Sequence, residues 1–385
     1  MNVSARRLAV LLIKFLLPAG IIAVLLARLD PQQWQVLGDQ SIRWPMLGAA
    51  FCVAFLAIAL SFVRWWVLVR CQDISLSLRE AFRLSSICFL LSFVSAGSVG
   101  GDLFKAVFLA RRSPGRRIGA VASVVVDRGA GLFGLLLLVS VGLWLRPAAD
   151  PFEFNGIGIR QFRAVVAFLM ISGCGLLAVL VLGGRFVDRV IIRGSRLRFV
   201  GSLIGAVGPP LRTFHSHPWA LAMSLLMSVG VQGMLVVSIY LIAISMYPSP
   251  PTFAEHFVIV PVGMLASALP LTPAGVGVLE ATIETLYHLV PARATEASGT
   301  LVALMFELVK VVLAVVGTIF YWTASREEQE SLAYAEEHGE HAMEDLDDSS
   351  TSDSLKTDSP NADSSSPDSP KPDDPRTIPS AALQE

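Results

Sequence analysis

The chain has 385 residues, of which 54% are hydrophobic and only 16% charged, and its mean hydropathy is +0.62. Soluble globular domains carry about 25% charged residues, so this composition excludes an ordinary soluble enzyme and indicates an integral membrane protein. The formal net charge of -1 combines two unlike parts, because residues 1–325 carry a net +12 and residues 326–385 a net -13. We therefore predict a membrane domain over residues 1–325 and an acidic tail rich in Ser, Asp and Pro over residues 326–385.

Six apolar runs are long enough to cross the membrane, since about 20 helical residues span roughly 30 Å of hydrocarbon. The predicted spans are 8–27, 45–63, 118–145, 162–182, 219–247 and 298–322. The first run follows Arg6 and Arg7, and a signal peptide is the alternative reading. Its length and the absence of a clean cleavage site after it favour an uncleaved first span.

Two further apolar segments, 84–99 and 257–271, are too short to cross comfortably and are interrupted by glycine or proline. If each enters and leaves on one side, 17 Lys and Arg residues are cytoplasmic and 6 are outside; if each crosses once, the numbers become 9 and 14. Cytoplasmic loops are enriched in Lys and Arg, which favours two re-entrant hairpins and cytoplasmic N- and C-termini. Irregular backbone at membrane depth needs protein or water around it, so the hairpins also predict a polar cavity.

Two segments are predicted to lie at the cytoplasmic surface. The Arg-rich stretch 185–212 has the character of an amphipathic helix on anionic lipid, and we favour lipid over nucleic acid as its partner. The tail combines low hydrophobicity with high net charge, so we predict that it is disordered. A simple solvated tail and a regulatory or phosphorylated tail are both consistent with its sequence.

The predicted segments form two units of opposite orientation, one over 45–145 and one over 219–322. In the first hairpin Ala96-Gly97 precedes Asp102, and in the second Ala274-Gly275 precedes Glu280 at the same spacing, although so short a match also arises by chance. Inverted repeats with broken helices recur among transporters. The predicted fold class is therefore an all-α polytopic membrane protein with six full transmembrane helices and two re-entrant helical hairpins in an inverted repeat.

Ionisable residues within the apolar segments are the main candidates for a functional site. Each costs about 2.5–3.5 kcal/mol at the bilayer centre, so such residues normally face a bundle interior or an aqueous path. The candidates are Asp127, Arg128, Glu280, Glu284, Glu307 and Lys310. An interhelical network of ion pairs that only fixes packing is the alternative.

Spacing along a helix constrains how these residues act. Adjacent side chains point about 100° apart, so Asp127 and Arg128 are expected to serve different partners. Side chains three or four residues apart share a face, which joins Glu280 with Glu284, and Glu307 with Lys310. Two acids on one face are expected to attract a cation, either a basic side chain or a positively charged substrate group.

Glycine-rich segments mark both hairpins. Gly100 and Gly101, just before Asp102 and Lys105, expose backbone N–H groups that are suited to an anion such as a phosphate. The alternative is that these glycines only turn the chain. The same two interpretations apply to the second hairpin, where the glycine-rich residues are Pro273, Gly275 and Gly277.

No cofactor or metal is predicted. The four cysteines lack metal-ligand or disulfide spacing, and the histidine pairs lack a third ligand. A P-loop sequence is also absent, so ATP-driven pumping is not indicated.

Three motifs, at 95–102, 126–131 and 270–280, together resemble the lysylphosphatidylglycerol synthase transmembrane region, a flippase-like integral membrane family. The resemblance covers roughly residues 5–325. It implies a membrane domain that moves a phospholipid or a lipid-linked sugar between leaflets, with re-entrant helices lining a cavity. It also implies functional roles for the Gly-Gly-Asp at 100–102, the Asp-Arg pair at 127–128 and the motif at 273–280.

The family's synthases add a cytosolic domain that uses aminoacyl-tRNA, and an acidic tail of 60 residues cannot form such a domain. The leading expectation is therefore a lipid translocase of the bacterial cytoplasmic membrane that is not itself an enzyme. One alternative is a non-transporting partner that presents a lipid to a separate glycosyltransferase or lipid-modifying enzyme. A membrane-embedded enzyme with an acid pair ranks last, because no nucleophile and base accompany the acids.

Overall fold

The computed structural model describes residues 42–94, 99–145, 153–154, 157–182, 213–269, 275 and 277–322. The first predicted span, the Arg-rich stretch, Pro273 and the acidic tail lie outside these residues. Those predictions, and the domain boundary near residue 325, therefore stay predictions.

The described residues form α-helices and one minimal two-stranded ribbon. The helices are α1 (Trp44–Cys71), α2 (Leu78–Val94), α3 (Val99–Arg112), α4 (Arg117–Trp144), α5 (Ile159–Leu182), α6 (Pro218–Met246), α7 (Phe253–Ala268), α8 (Val278–Leu289) and α9 (Gly299–Trp322). Strands β1 (Glu153–Phe154) and β2 (Ile157–Gly158) pair antiparallel before α5.

Helix lengths confirm the predicted all-α polytopic membrane fold. Helices α1, α4, α5 and α6 are long and apolar enough to cross a bilayer, and α9, with 24 residues, coincides with the last predicted span. Helices α2, α3, α7 and α8 have 17, 14, 16 and 12 residues. At 1.5 Å per residue these four fall short of about 30 Å, as expected for the arms of two hairpins.

The same local signal starts both hairpins. Glu80 accepts hydrogen bonds from the backbone N–H and the hydroxyl of Ser77, at 2.9 and 2.8 Å, while the Glu80 N–H bonds back to the Ser77 hydroxyl. Thr252 and Glu255 form the equivalent capping box at the start of α7. A capping box satisfies N–H groups that a helix start leaves without partners, so these residues fix where each hairpin begins.

Helices α1 and α6 pack along their length and run antiparallel. The Arg43 N–H donates to the Ser245 carbonyl at 3.0 Å, and further along the pair the Arg64 guanidinium donates to the Ser228 hydroxyl at 3.0 Å. Numbering thus rises along α1 as it falls along α6. Because each of these helices opens one unit, the antiparallel contact gives the two units opposite orientations.

The contacts between the two units are also symmetric. The first helix of hairpin one, α2, packs on α9 of the second unit, and the first helix of hairpin two, α7, packs on α4 of the first unit. One apolar core surrounds α6, α7, α8 and α9, and a second surrounds the first hairpin. Each hairpin is therefore held between its own unit and the last helix of the other.

Candidate functional site

A buried ion pair joins α1 to α4. The Arg64 Nε donates to Asp127 Oδ1 at 2.8 Å, and the two residues are only 6% and 9% exposed. Arg64 also donates to the Ser228 hydroxyl, which in turn donates to the Ala130 carbonyl. The pair is thus tied into three helices, α1, α4 and α6.

The predicted span 45–63 ends before Arg64 and so assigns this arginine to a cytoplasmic loop, which is wrong. Helix α1 continues to Cys71, because the residues after Arg64 are mostly apolar and the charge is neutralised by Asp127. Moving Arg64 into the span leaves 16 cytoplasmic Lys and Arg residues against 6 outside, so the predicted orientation is unaffected.

Asp127 and Arg128 serve different partners, as their spacing predicts. While Asp127 faces Arg64, the Arg128 Nε forms an ion pair with Asp102 Oδ2 that joins α4 to α3. The Arg128 side chain is 51% exposed and that of Asp102 is 18% exposed. Arg128 therefore holds the first hairpin and still presents its guanidinium to the surroundings.

Lys105 lies beside this ion pair on α3. Its Nζ stands 4.7 Å from the centre of the buried Trp65 ring, a distance at which a cation is attracted to the aromatic face. Lys105 and Arg128 both act electrostatically on the buried Cys88 of α2, and so does Asp102. The three charged residues thus surround one place where α2, α3 and α4 meet.

The predicted glycine-rich tip of the first hairpin is partly helical. Gly100 and Gly101 belong to the first turn of α3, and residues 95–98 lie outside the described part of the chain. A Cβ at Gly101 would overlap the Cys88 carbonyl oxygen and come within 2.7 Å of the Ser92 hydroxyl. Close packing of the two hairpin arms is therefore what requires glycine at 101.

The second hairpin turns through glycines in a left-handed conformation. Gly275 has φ +74° and Gly277 has φ +89°, values that favour glycine. A Cβ at Gly275 would also approach the Ser267 carbonyl oxygen of α7 to 2.6 Å, whereas Gly277 has open space around it. The Gly277 N–H donates to Glu280 Oε2 at 2.6 Å, which caps the start of α8.

Glu280 and Glu307 form a buried acidic pair between α8 and α9. Each residue is 2% exposed, and their charges interact. Lys310 donates to Glu307 Oε1 at 2.6 Å, confirming that these two residues share a helix face. In the described part of the chain, Glu280 Oε1 and Glu307 Oε2 have no hydrogen-bond partner.

Glu284, the neighbour of Glu280 one turn along α8, has hydrogen-bond partners of its own. Its Oε2 accepts from the Thr300 N–H at 2.5 Å and from the Ser298 hydroxyl at 3.1 Å, and its Oε1 lies 3.2 Å from His288. Glu284 therefore caps the start of α9. The prediction that Glu280 and Glu284 attract one cation stays a prediction.

A buried pair in the second hairpin has no counterpart among the predictions. His256 Nδ1 donates to the Thr252 carbonyl at 2.9 Å, which leaves Nε2 to accept from the Tyr287 hydroxyl, also at 2.9 Å. Both side chains are almost fully buried and join α7 to α8. A single histidine in an apolar run gives no sequence signal of its partner. Arg64, by contrast, was detectable as a charge flanked on both sides by apolar residues.

These contacts give two zones of opposite character. Arg128 and Lys105 supply cationic groups where α3 meets α4, and Glu280 with Glu307 supplies acceptor oxygens where α8 meets α9. Among the residues that the structure describes, no group of three or more His, Cys, Asp or Glu residues is arranged to hold a metal ion. The first zone can bind an anionic group, and the second can accept hydrogen bonds from a donor group.

Comparison with known proteins identifies one family. The family described as the lysylphosphatidylglycerol synthase TM region matches residues 8–317, which is most of the chain. No curated protein and no solved structure matches.

Proposed function

The chain belongs to the lysylphosphatidylglycerol synthase transmembrane-region family, and from that premise we propose that it moves the headgroup of a phospholipid or lipid-linked sugar across the membrane. The proposal places it in the bacterial cytoplasmic membrane with both termini cytoplasmic. It acts as a translocase without catalysis or cofactor of its own.

The observation that carries this proposal is the acidic pair. Glu280 Oε1 and Glu307 Oε2 are buried within the membrane domain without a donor among the described residues. Buried acceptors without donors are costly, by about 1–3 kcal/mol each and more when charged. A headgroup that brings an ammonium or several hydroxyls supplies the missing donors, which favours its transient binding at this depth.

The cationic zone supports the same function for the other part of the headgroup. Arg128 is half-exposed although it pairs with Asp102, and Lys105 holds its ammonium over Trp65. A guanidinium donates to a phosphate in a fixed fork, and an ammonium adds a point charge. In the proposal Arg128 and Lys105 hold the phosphate while Glu280 and Glu307 engage the cationic or hydroxyl-bearing end.

A liposome assay with fluorescent lipids tests the proposal. We expect the wild-type protein to exchange labelled lipid between leaflets, and Glu280→Gln and Glu307→Gln to lower the initial rate about tenfold or more, since each loses a charge-assisted acceptor. Arg128→Ala is expected to be slow, and Arg128→Lys to recover part of the rate because it retains the charge. Glu296→Gln, at an exposed position before α9, is the matched control and should leave the rate unchanged.

Equal exchange by the wild type and every variant would remove the site assignment. A wild-type protein that exchanges no lipid but co-purifies with a soluble lipid-modifying enzyme would favour the lipid-presenting alternative. Turnover of a headgroup by the pure protein would instead support the membrane-embedded enzyme.

A further inference from the structure

The acidic pair between α8 and α9 carries one negative charge more than its basic neighbour compensates. Lys310 forms an ion pair with Glu307 Oε1 at 2.6 Å, and its ammonium also lies 5.7 Å from the centre of the Phe306 ring. Glu280 forms no ion pair in the part of the chain that the structure describes. With both acids ionised, the site would therefore hold one uncompensated charge, although each acid is only 2% exposed.

The other titratable groups of the second hairpin are engaged elsewhere. Glu284 caps the start of α9, with His288 beside its second oxygen. On α7, Glu255 accepts from backbone N–H groups before and after the hairpin, and His256 is bonded to the Tyr287 hydroxyl. None of these groups compensates Glu280.

The helices that pack on α9 from the other side supply no compensation either. Helix α6 has no charged residue, and on α1 Arg64 is paired with Asp127 while Arg70 lies in the last turn. The charged residues at the start of α2 lie with Phe320, 13 residues or roughly 20 Å along α9 from Glu307. These residues are Arg79, Glu80 and Arg83. The charges that act on Glu307 are those of Lys310 and Glu280.

A single proton meets both needs of the pair. Placed on Glu280 Oε1, it cancels the uncompensated charge and turns that oxygen into a donor for Glu307 Oε2; placed on Glu307 Oε2, it does the reverse. Two carboxyl groups in one buried site retain a proton for this reason, because like charges at close range cannot both be kept. Glu280 Oε2 is held by the Gly277 N–H throughout, which leaves Oε1 for the proton.

The oxygens that accept the proton are the same two that the proposed function assigns to the headgroup. An ammonium or hydroxyl of the headgroup therefore competes with the proton for the acidic pair. Competition between two ligands for one site is reciprocal, since each lowers the affinity of the other by the same factor.

We propose that Glu280 and Glu307 hold one proton between them and that the headgroup displaces it, so that each lipid crosses in exchange for a proton moving the opposite way. The exchange rests on the proposed function, whereas the proton site does not.

Infrared spectroscopy of the full chain in nanodiscs tests the proton site without requiring transport. A protonated carboxyl group absorbs apart from carboxylates, and its band shifts in D₂O. We expect a band of this kind in the wild type at neutral pH. Glu280→Gln should remove it, because Lys310 then compensates the one acid that remains, while the amide oxygen can still accept from the Gly277 N–H. Lys310→Met should increase the band about twofold, since a second acid loses its cation.

Exchange against protons is tested in liposomes that contain acyl-labelled phosphatidylethanolamine, with the membrane potential held at zero and a pH difference of about one unit imposed. We expect the wild type to enrich the label up to about tenfold in the leaflet that faces the acidic side, because one pH unit is a tenfold ratio of proton activity. Glu280→Gln should leave the two leaflets within about twofold of each other. Glu296→Gln, which removes an exposed acid, is the control for both experiments and should behave like the wild type.

Several outcomes would overturn the proton site. They are a wild type without the band, a band that Glu280→Gln leaves unchanged, and a band that does not grow in Lys310→Met. An even distribution of label by a wild type that does exchange lipid would overturn the coupling. The proposed function fails separately: if Glu280→Gln removes the band but the wild type exchanges no lipid, the proton site stands and translocation does not.

Discussion

Helices α2 and α7 begin with the same kind of capping box, Ser77 with Glu80 and Thr252 with Glu255, yet the two hairpins they open are held together differently. In the first hairpin, α3 packs on α2 through apolar side chains such as Ala81 and is tied to α4 by an ion pair. In the second hairpin, α7 and α8 are joined by a buried hydrogen bond between the Tyr287 hydroxyl and His256 Nε2.

The two hairpins carry different side chains at corresponding positions. Ala81 and His256 are each the fourth residue of their helix, and Leu109 and Tyr287 each lie seven residues after the hairpin acid. All four side chains are almost fully buried. Corresponding positions thus belong to an apolar cluster in the first hairpin and to a polar contact in the second.

The hairpin acids differ in the same way. Asp102 pairs with Arg128, the residue after Asp127 on α4, whereas Glu280 faces a second acid, Glu307, on α9. Two units of opposite orientation thus have matching positions without matching chemistry. One unit therefore offers cations and the other offers acceptors.

The largest expected effect comes from breaking the buried pair of the first unit, which the second unit lacks because α6 carries no charged residue. Arg64→Ala leaves Asp127 buried and unpaired, so we expect a loss of about 3–5 kcal/mol in the free energy of unfolding. Arg64→Met/Asp127→Leu removes both charges and should be much closer to the wild type. Unfolding in mixed micelles measures the stability of both variants. Equal losses of free energy of unfolding would show that the unpaired charge of Asp127 is not the cause of the destabilisation.

The glycines that let the hairpin arms approach are expected to come next. Gly101→Ala and Gly275→Ala each force a Cβ against a carbonyl oxygen, so each should cost about 1–3 kcal/mol or more. Gly277→Ala meets open space and bears only the strain of its positive φ, about 1–2 kcal/mol. Gly129→Ala, on an open helix face, is the control and should not destabilise. A Gly275→Ala variant as stable as Gly277→Ala would contradict the close approach of α7.

A smaller effect distinguishes the interiors of the two hairpins. Tyr287→Phe removes the donor to His256 Nε2 and should cost about 1–2 kcal/mol, because a buried acceptor loses its partner. Leu109→Met, at the matching place in the first hairpin, conserves volume and should cost less than about 1.5 kcal/mol. Thermal unfolding of the two variants in one detergent compares them, and an unaffected Tyr287→Phe would mean that water replaces the hydroxyl.

The smallest effect is expected in the loop that leads into the first hairpin. The hydrogen bond and the charge of Arg116 lower the pKa of the exposed Asp73 carboxyl from its ordinary 3.8. A depressed pKa contributes stability that is present above the ordinary pKa and is lost as the pH falls through the folded-state pKa. The melting temperature of Asp73→Asn should therefore be slightly lower than that of the wild type at neutral pH. The two melting temperatures should converge below about pH 4. If the difference in melting temperature persists in acid, its cause is the left-handed backbone at this position, φ +53°, and not the charge of Asp73.

Much of the fold was accessible from the sequence because membrane insertion is a local requirement. Apolar length identified the spans now seen as α1, α4, α5, α6 and α9, and the short interrupted segments identified both hairpins. The 100° step along a helix was enough to separate the partners of Asp127 and Arg128. Spacing of three residues was likewise enough to join Glu307 with Lys310.

The roles of Glu284 and Arg64 could not be read in the same way. Glu284 looked like a second acid of the Glu280 site, but α9 begins beside it and takes its carboxylate as a cap. Arg64 and Asp127 are 63 residues apart, and their pairing depends on how α1 rotates against α4. No local pattern encodes such a rotation.

Local sequence is enough to identify a multi-pass membrane protein with two broken hairpins and acids at depth, since the cost of placing polar groups in hydrocarbon acts on each segment separately. The packing of the helices is needed to see which charges neutralise each other and which acids keep an oxygen without a donor among the described residues. Those outcomes depend on close contacts between helices far apart in the chain, such as Gly142 against Val258. Packing at that level is a property of the assembled bundle, not of any one segment.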